Sequence, residues 1–564
     1  MDKHIAFITY ETPFAPGGGI AAVMAYLPRA IQSVSQIPTF VITPFHINNK
    51  KTYLLESEMD SVGRVQIEFN STPIQFEIKI FQDEISWVFL KPDEMESSTY
   101  PFFSGRRHPY DVPATDTSGL SILLRDSLIF GKTASLALRE LCPTSNWTIL
   151  LQDWEAATFA ISDAVSPDHK KNKNTYLTLH NSYDSGLNPE IMAASGLENL
   201  PHPGSTVLES VLPLVQDPIF TVSDQFALDL TQEPAQAKIM IPHIVDKLGP
   251  RLKGVNNGPF INRQIPDDVF QAGIEGDLKP LAAWKKERRK QAMKIIRNFT
   301  PTEDEPVWGD NRAFGSLELP WFVMAGRDDT RQKGYEVACL AIDNYLEHDG
   351  QACFIFLPIP GDEGLRGLEF IHQMAKKYPA RVICFPFMFR EAYLPIMQGA
   401  SFGMMPSYYE PFGMANEFFL NGVSCIGRAT GGIIQQIVPY QDSNAFNKAV
   451  ARKAKRWHKS GSRPSGYLFR EDEEISNLID DWEAINAADY STINSGENRL
   501  DNRKRLSLVR AISNEMNICI QDAAQLYTDH QDMYLEFVIS GAIFLDRYLS
   551  WDESAQIYLE NLIF

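Results

Sequence analysis

Short apolar runs recur along this chain in two separate series, with helical patterns between them. The first series occupies 4–9, 39–43, 148–152, 176–179 and 219–222, and the second 321–325, 353–357, 382–385, 402–405 and 424–427. None of these runs alternates polar with apolar residues. Each therefore reads as a strand covered on both faces, which is the condition of a strand in a parallel sheet. Alternation with helices builds such sheets from βαβ units. Between the two series lies 301–320, where Pro, Gly and acids mix without periodicity, as in a linker. The expectation is an α/β chain of two Rossmann-like, doubly wound domains. A length of 564 residues, more than one hydrophobic core supports, agrees.

The expected organisation is a first domain over 1–300, the linker at 301–320 and a second domain over 321–548, followed by a terminal segment at 549–564. Residues 49–118 alternate weakly and read as an antiparallel excursion within the first domain. Residues 441–465 and 470–510 are polar and fall outside the repeating pattern, so they read as surface insertions with some helix. In the terminal segment Trp551, Ala555, Tyr558, Leu559 and Leu562 follow helical spacing and form one apolar face that must dock somewhere.

Charge and cysteine usage exclude several function classes. A net charge of -19 repels a phosphate backbone, so nucleic acid is not an expected partner. Positive charge for a smaller anionic ligand must then be local. Cys142, Cys339, Cys353, Cys384, Cys425 and Cys519 form no CxxC pair, which removes support for a zinc site and fits free thiols in a reducing compartment. The sequence enters a strand pattern at once, without a secretory signal. The apolar stretch 533–549 carries Glu536, Asp546 and Arg547, which suits a core helix and not a membrane span. Together these features predict a cytoplasmic protein.

In open α/β sheets ligands bind beyond the carboxyl ends of the strands, and here chemistry collects at those ends. The first run leads into Tyr10, Glu11 and Gly17-Gly18-Gly19, and later runs end at Asp153-Trp154, His180-Asn181, Gly326-Arg327 and Pro406-Ser407, shortly before Glu410. Polar residues at the same ends of two sheets imply a cleft between facing domains. The glycine turn opens an amphipathic helix through Ile20, Val23, Met24, Leu27 and Ile31, which Pro28 kinks or ends. Such a turn either offers N–H groups to a phosphate or is simply tight. Arg327 and Lys333 suit a diphosphate as planar fork and point charge, or they pair with Asp328 and Asp329 in a solvated loop. The stretch from Met405 to Gly432 is dense in Pro, Gly and acid, with Glu410 ahead of a helix start. The basic run KKERRK at 285–290 reads as a solvated helix face.

These motifs resemble the retaining GT-B glycosyltransferases of the starch and glycogen synthase group. PSYYEPFG at 406–413 is similar to the group's signature, ATGG at 429–432 to its threonine-glycine-glycine turn, and AGRDDTRQKG at 325–334 to its arginine–lysine donor loop. TLHN at 178–181, QDW at 152–154, TVSDQFALDL at 221–230, GVNNGPF at 254–260 and GGIAAVMAYLPRAI at 18–31 resemble further segments, as do GYLF at 466–469 and SWDESAQIY at 550–558. The matches span most of the chain in the group's order. Two residues depart from it: Pro16 stands where the group usually carries a lysine, and Phe418 where related enzymes carry a second glutamate, the acid here being Glu417.

The resemblance implies roles. Arg327 and Lys333 would stabilise a departing diphosphate, Glu410 would face the donor sugar, and His180 would bond that sugar near its reacting carbon. Gly18, Gly19, Asn257, Gly326, Pro411, Phe412, Gly413, Met414, Phe418, Thr430, Gly431 and Gly432 would line the donor site. Glu11, Asp153, Trp154 and Asn181 would face the acceptor, and the terminal helix would cross back onto the first domain. It also implies hexose transfer, glucose above all, from an NDP-sugar such as ADP-glucose or UDP-glucose to a glycan or other hydroxyl acceptor. Configuration would be retained, with neither metal nor cofactor. A non-glucan acceptor (small molecule, lipid or protein), or a degenerate sugar-binding or scaffold protein, is the alternative.

Overall fold

The structure is a computed structural model that describes residues 2–564 apart from 47–49, 94–108, 111, 113, 116–118, 167–172, 362, 460 and 488–497. Parts of the 49–118 and 470–510 segments thus lie outside the described residues. The chain divides into two compact units: 1–227 with 240–260 and 550–564, and 228–239 with 261–549.

The first unit holds β1 (Lys3–Thr9), β2 (Thr39–Pro44), β3 (Asp60–Phe69), β4 (Thr72–Gln82), β5 (Ser86–Pro92), β6 (Asn146–Gln152), β7 (Lys173–Leu179), β8 (Ile219–Thr221) and β9 (Leu252–Gly254). They form one sheet in the order β3-β4-β5-β2-β1-β6-β7-β8-β9. From β5 to β9 every pairing is parallel, whereas β3-β4 and β4-β5 are antiparallel. The 49–118 segment therefore contributes an antiparallel hairpin and one parallel strand, β5, whose Trp87, Val88, Phe89 and Leu90 are fully buried. Helix Gly19–Ser35 runs as one element with Pro28 inside it and buries Ile20, Val23, Met24, Leu27 and Ile31. The terminal helix Trp551–Asn561 covers the same core. Trp551 stacks on Tyr26 at 5.6 Å and donates from Nε1 to the Pro259 carbonyl at 2.8 Å, while Tyr558 meets Phe220 at 4.4 Å.

The second unit holds β10 (Trp321–Arg327), β11 (Cys353–Ile359), β12 (Val382–Cys384), β13 (Phe402–Met405), β14 (Ser424–Arg428) and β15 (Gly466–Phe469). Their order is β12-β11-β10-β13-β14-β15, parallel throughout. Helices Ser507–Asp529 and Gln531–Tyr548 bury apolar faces in its core, so the 533–549 stretch is a core helix. No helix among the described residues is long and apolar enough to cross a membrane. Cys339, Cys353, Cys384, Cys425 and Cys519 are buried free thiols.

Three expectations need correction. The division falls at 260/261, and residues 301–320 are built into the second unit instead of linking two. Trp308 exchanges backbone hydrogen bonds with Cys384 at 3.0 and 2.9 Å, extending the sheet beyond β12. A second correction concerns the basic run, which is only partly solvated. Lys285 and Arg289, one helical turn apart on helix Lys279–Asn298, are both buried. Lys285 donates to the carbonyls of Gln398, Ala400 and Gly422, at 3.0 Å and 2.7 Å for the first two. Arg289 reaches Gly399 O at 3.0 Å, Leu319 O at 3.0 Å and Ser401 Oγ at 2.7 Å. Both cations sit at the carboxyl end of helix Arg390–Gly399, where unsatisfied carbonyls gather. The third correction is that the 470–510 segment is not confined to the surface: Trp482, Arg470, Glu471, Arg499 and Arg503 are all buried.

Two lysines of one charge run thus have opposite surroundings. Lys285→Ala strands three buried carbonyls and should lower stability by about 2–4 kcal/mol. Lys286→Ala, on the exposed side of the same helix, should stay within about 0.5 kcal/mol of the parent in urea unfolding.

Candidate active site

In each sheet one pair of neighbouring strands marks where the winding reverses, β1 beside β6 in the first unit and β10 beside β13 in the second. Crossovers leave on opposite faces there, and the carboxyl ends stay open for a ligand. Most of the residues singled out from the sequence follow those four strands or their neighbours β7 and β14, whereas Asn257 follows the edge strand β9.

In the second unit β10 ends at the exposed Arg327, and the loop after it returns to Lys333. Gly334 has φ +67, and a Cβ there would stand 2.6 Å from the Pro406 carbonyl, so glycine lets this loop lie against the one that follows β13. That second loop carries Glu410, which is buried. Its carboxylate accepts from Lys333 Nζ at 2.7 Å, Gln332 Nε2 at 3.0 Å and Ser407 Oγ at 2.9 Å. Lys333 and Glu410 are therefore joined, with the ammonium still a quarter exposed. Gln332 was not singled out from the sequence, and Ser407 only as a residue at a strand end; the fold shows that they share one carboxylate.

The glycine pair after β14 acts differently from the expectation. Gly431 N–H and Thr430 Oγ1 both donate to Asp229, at 2.7 and 3.0 Å, and Gly432 N–H donates to the Glu410 carbonyl at 3.1 Å. Gly431 has φ +44, and a Cβ on it would fall 1.6 Å from that carbonyl. The pair lets the Glu410 loop approach the helix start, and its N–H groups are spent within the protein. Pro411 and Phe412 are buried, Gly413 and Met414 half-buried. The Phe412 carbonyl accepts from Gln436 Nε2 at 2.6 Å, which fixes this stretch of backbone.

Phe418 is a core residue. It is fully buried, and its ring fills the space that a Cβ on Gly403 of β13 would occupy. Glu417, one position earlier and about 100° around the helix, bonds Tyr393 and lies near Lys333. Burial raises its carboxyl to about 6.

In the first unit the loop after β1 folds back on itself. Glu11 is buried and accepts from the N–H groups of Gly17 and Gly18, each at 2.5 Å, while Tyr110 approaches it at 3.4 Å. The carboxylate occupies the place at a helix N-terminus where a phosphate would bind. The turn is tight because Glu11 ties it, and Gly18 has no N–H to spare in this structure. Asp153 follows β6 with φ +62 and accepts from His180 N at 2.6 Å and Asn181 Nδ2 at 3.0 Å. Trp154 beside it is buried. His180 Nε2 donates to Gln152 Oε1 at 2.8 Å, and burial lowers its imidazole to about 3, so the ring is neutral. Asn257 follows β9, buried, with its N–H on the Val222 carbonyl at 3.3 Å. Burial first, then the neighbouring Glu11 charge, pushes Asp153 well above the usual carboxylate range, and Glu155 rises with it. Among the described residues no cluster of His, Cys, Asp or Glu could hold a metal ion.

Two doubly wound sheets, each with its carboxyl-end residues at the reversal point, define the GT-B class of glycosyltransferase. Residues 4–239 match the family model of the starch synthase catalytic domain. A glycogen synthase of Petrotoga mobilis is 25% identical over 452 residues, covering 77% of this chain and 84% of that protein. The cell wall alpha-1,3-glucan synthase mok12 of Schizosaccharomyces pombe is 39% identical over 113 residues, 20% of this chain and 5% of that protein. The catalytic domain of Starch Synthase IV from Arabidopsis thaliana, bound to ADP and acarbose, superposes with a TM-score of 0.62 at 17% identity, covering 95% of this chain and 99% of that one. These likenesses cover most of the chain and support a starch/glycogen synthase-like glycosyltransferase.

The sign of one pH effect follows from Asp153. Its folded-state pKa is raised, so the folded protein holds a proton that the unfolded chain has released, and stability falls as pH rises above about 4. Asp153→Asn should flatten that fall in thermal unfolding, leaving the variant nearer the parent at pH 5 than at pH 8.

Proposed function

We propose that this chain is a retaining glucosyltransferase that moves glucose from a nucleoside diphosphate glucose, ADP- or UDP-linked, to a glucan hydroxyl. The observation that carries the reading is the joined Lys333–Glu410 pair, 2.7 Å apart, on the loops that follow β10 and β13, with the exposed Arg327 at the end of β10. A diphosphate leaving group gathers negative charge as its bond to the sugar breaks, and a fixed guanidinium and ammonium stabilise that charge. The acceptor oxygen bonds to the sugar's anomeric carbon on the leaving group's face while the carbon–phosphate oxygen bond breaks. The acceptor proton passes to a phosphate oxygen, and configuration is retained.

In this reading Arg327 and Lys333 take the diphosphate, while Glu410 and the 411–414 backbone take the sugar hydroxyls. Neutral His180 serves the donor sugar as a hydrogen-bonding group, not as a cation. Glu11, Asp153, Trp154 and Asn181 belong to the acceptor side. The positive charge comes from side chains, so the step requires no metal. The Petrotoga mobilis relative, named a glycogen synthase, supports a glucan acceptor. The partial match to an alpha-1,3-glucan synthase makes linkage the property to determine first. Buried free thiols suit a cytoplasmic setting.

Incubation with ADP-glucose, UDP-glucose and GDP-glucose, with and without a glucan primer, should release nucleoside diphosphate from at least one donor and lengthen the primer. Lys333→Ala and Arg327→Ala should each lower kcat/KM by about 10²–10³. Absence of transfer from every donor would defeat the reading, and linkage analysis of the product would name the glucan.

A further inference from the structure

The polar segment 470–510 places two guanidinium groups under the loops that carry Arg327, Lys333 and Glu410. Arg499 and Arg503 lie on the short helix Arg499–Arg503, and both are completely buried. Nη1 of Arg499 donates to both carboxylate oxygens of Asp328, at 2.9 and 2.8 Å, and Nη2 donates to Glu336 at 2.8 Å. Arg503 stands 3.8 Å from Glu336 and donates to the Thr330 carbonyl at 3.1 Å. Glu336 also accepts from the Tyr408 hydroxyl at 2.8 Å, and Tyr408 N–H donates to the Gln332 carbonyl at 2.8 Å.

Two guanidinium groups and two carboxylates make this cluster neutral. Its members mark out the site: Asp328 adjoins Arg327, Thr330 lies midway to Lys333, and Tyr408 is two residues before Glu410. Buried ion pairs add little net stability compared with apolar packing, yet they fix geometry tightly because an unpaired member is costly. What they fix here is the backbone of both loops. We propose that Arg499 and Arg503 are positioning residues for transfer, setting the spacing of Arg327, Lys333 and Glu410 without touching the donor. The proposal rests on the function assigned above, so its test includes a measurement that needs no activity.

Three proteins are compared: the parent, Arg499→Lys, and the double variant Arg499→Met with Glu336→Gln. The double variant removes one charge of each sign and keeps an acceptor for Tyr408. Hydrogen exchange is followed peptide by peptide, together with thermal unfolding and donor kinetics. The double variant should unfold near the parent's temperature. In both variants exchange should rise about tenfold at 327–334 and 406–410 while the rest of the second unit stays protected. Donor kcat/KM should fall about 10- to 100-fold, mainly in kcat, and restoring charge balance should not restore it. Parent-like exchange in both loops of the double variant overturns the proposal, as does exchange rising evenly through the unit. So does parent-like kcat/KM alongside loosened loops. If no protein transfers sugar from any donor, the function assigned above fails, and the exchange pattern alone still decides whether these arginines hold the loops.

Discussion

A parallel sheet wound outward in both directions from its middle has one place that no crossover covers, beyond the carboxyl ends of the two central strands. Most of the candidate site residues collect about that gap. It occurs at β1 and β6 in one unit and at β10 and β13 in the other. Because strands cannot reach past their own ends, the candidate side chains are carried by the loops that follow, and buried polar groups hold loops and helix ends in place. Lys285 and Arg289 satisfy carbonyls at a helix end, Arg428 pairs with Glu471 and donates to the Tyr408 carbonyl, and Gln436 holds the Phe412 carbonyl.

The two units share a second device. In each, a carboxylate of the chain itself occupies N–H groups of a glycine turn at a helix start: Glu11 on Gly17 and Gly18, Asp229 on Gly431. Those donors would otherwise attract an anion. With them already engaged, the proposed transfer would draw its positive charge for a diphosphate from Arg327 and Lys333. In that proposal, recognition of the leaving group is focused on one loop of one unit.

The fold was legible because its signal is repeated. Every expected apolar run is a strand, and two series of βαβ units admit few other architectures. The short edge strands β9 and β15 and the parallel strand β5 escaped notice, β5 because it follows an antiparallel hairpin whose weak alternation coloured the whole segment. Individual site residues were harder to place, since a motif gives position along the chain and not the direction of a side chain. Phe418 comes five residues after the signature and points into the core, while Glu417, one position earlier, lies near Lys333. Gly431 and Gly432 were expected to line the donor site, and the fold adds a packing reason for both, their close backbone approach to Glu410 and Phe412. Lys285 and Arg289 looked solvated because their partners are backbone carbonyls, which have no sequence signature. Arg499 and Arg503 looked peripheral for a related reason: the carboxylates they meet lie more than a hundred residues away.

The chain passes from one unit to the other at 227/228, 239/240, 260/261 and 549/550, so neither unit is a continuous stretch of sequence. Ala555, Tyr558 and Leu562 belong to the same hydrophobic cluster as Ile5, Phe7 and Val41. During synthesis the first unit must wait with that face open while 261–549 are made, an interval on the order of tens of seconds. The second unit can close first, although its residues emerge later. Order of translation and order of completion are thus reversed, and the nascent protein depends on its last helix to cover surface exposed since its first strand emerged.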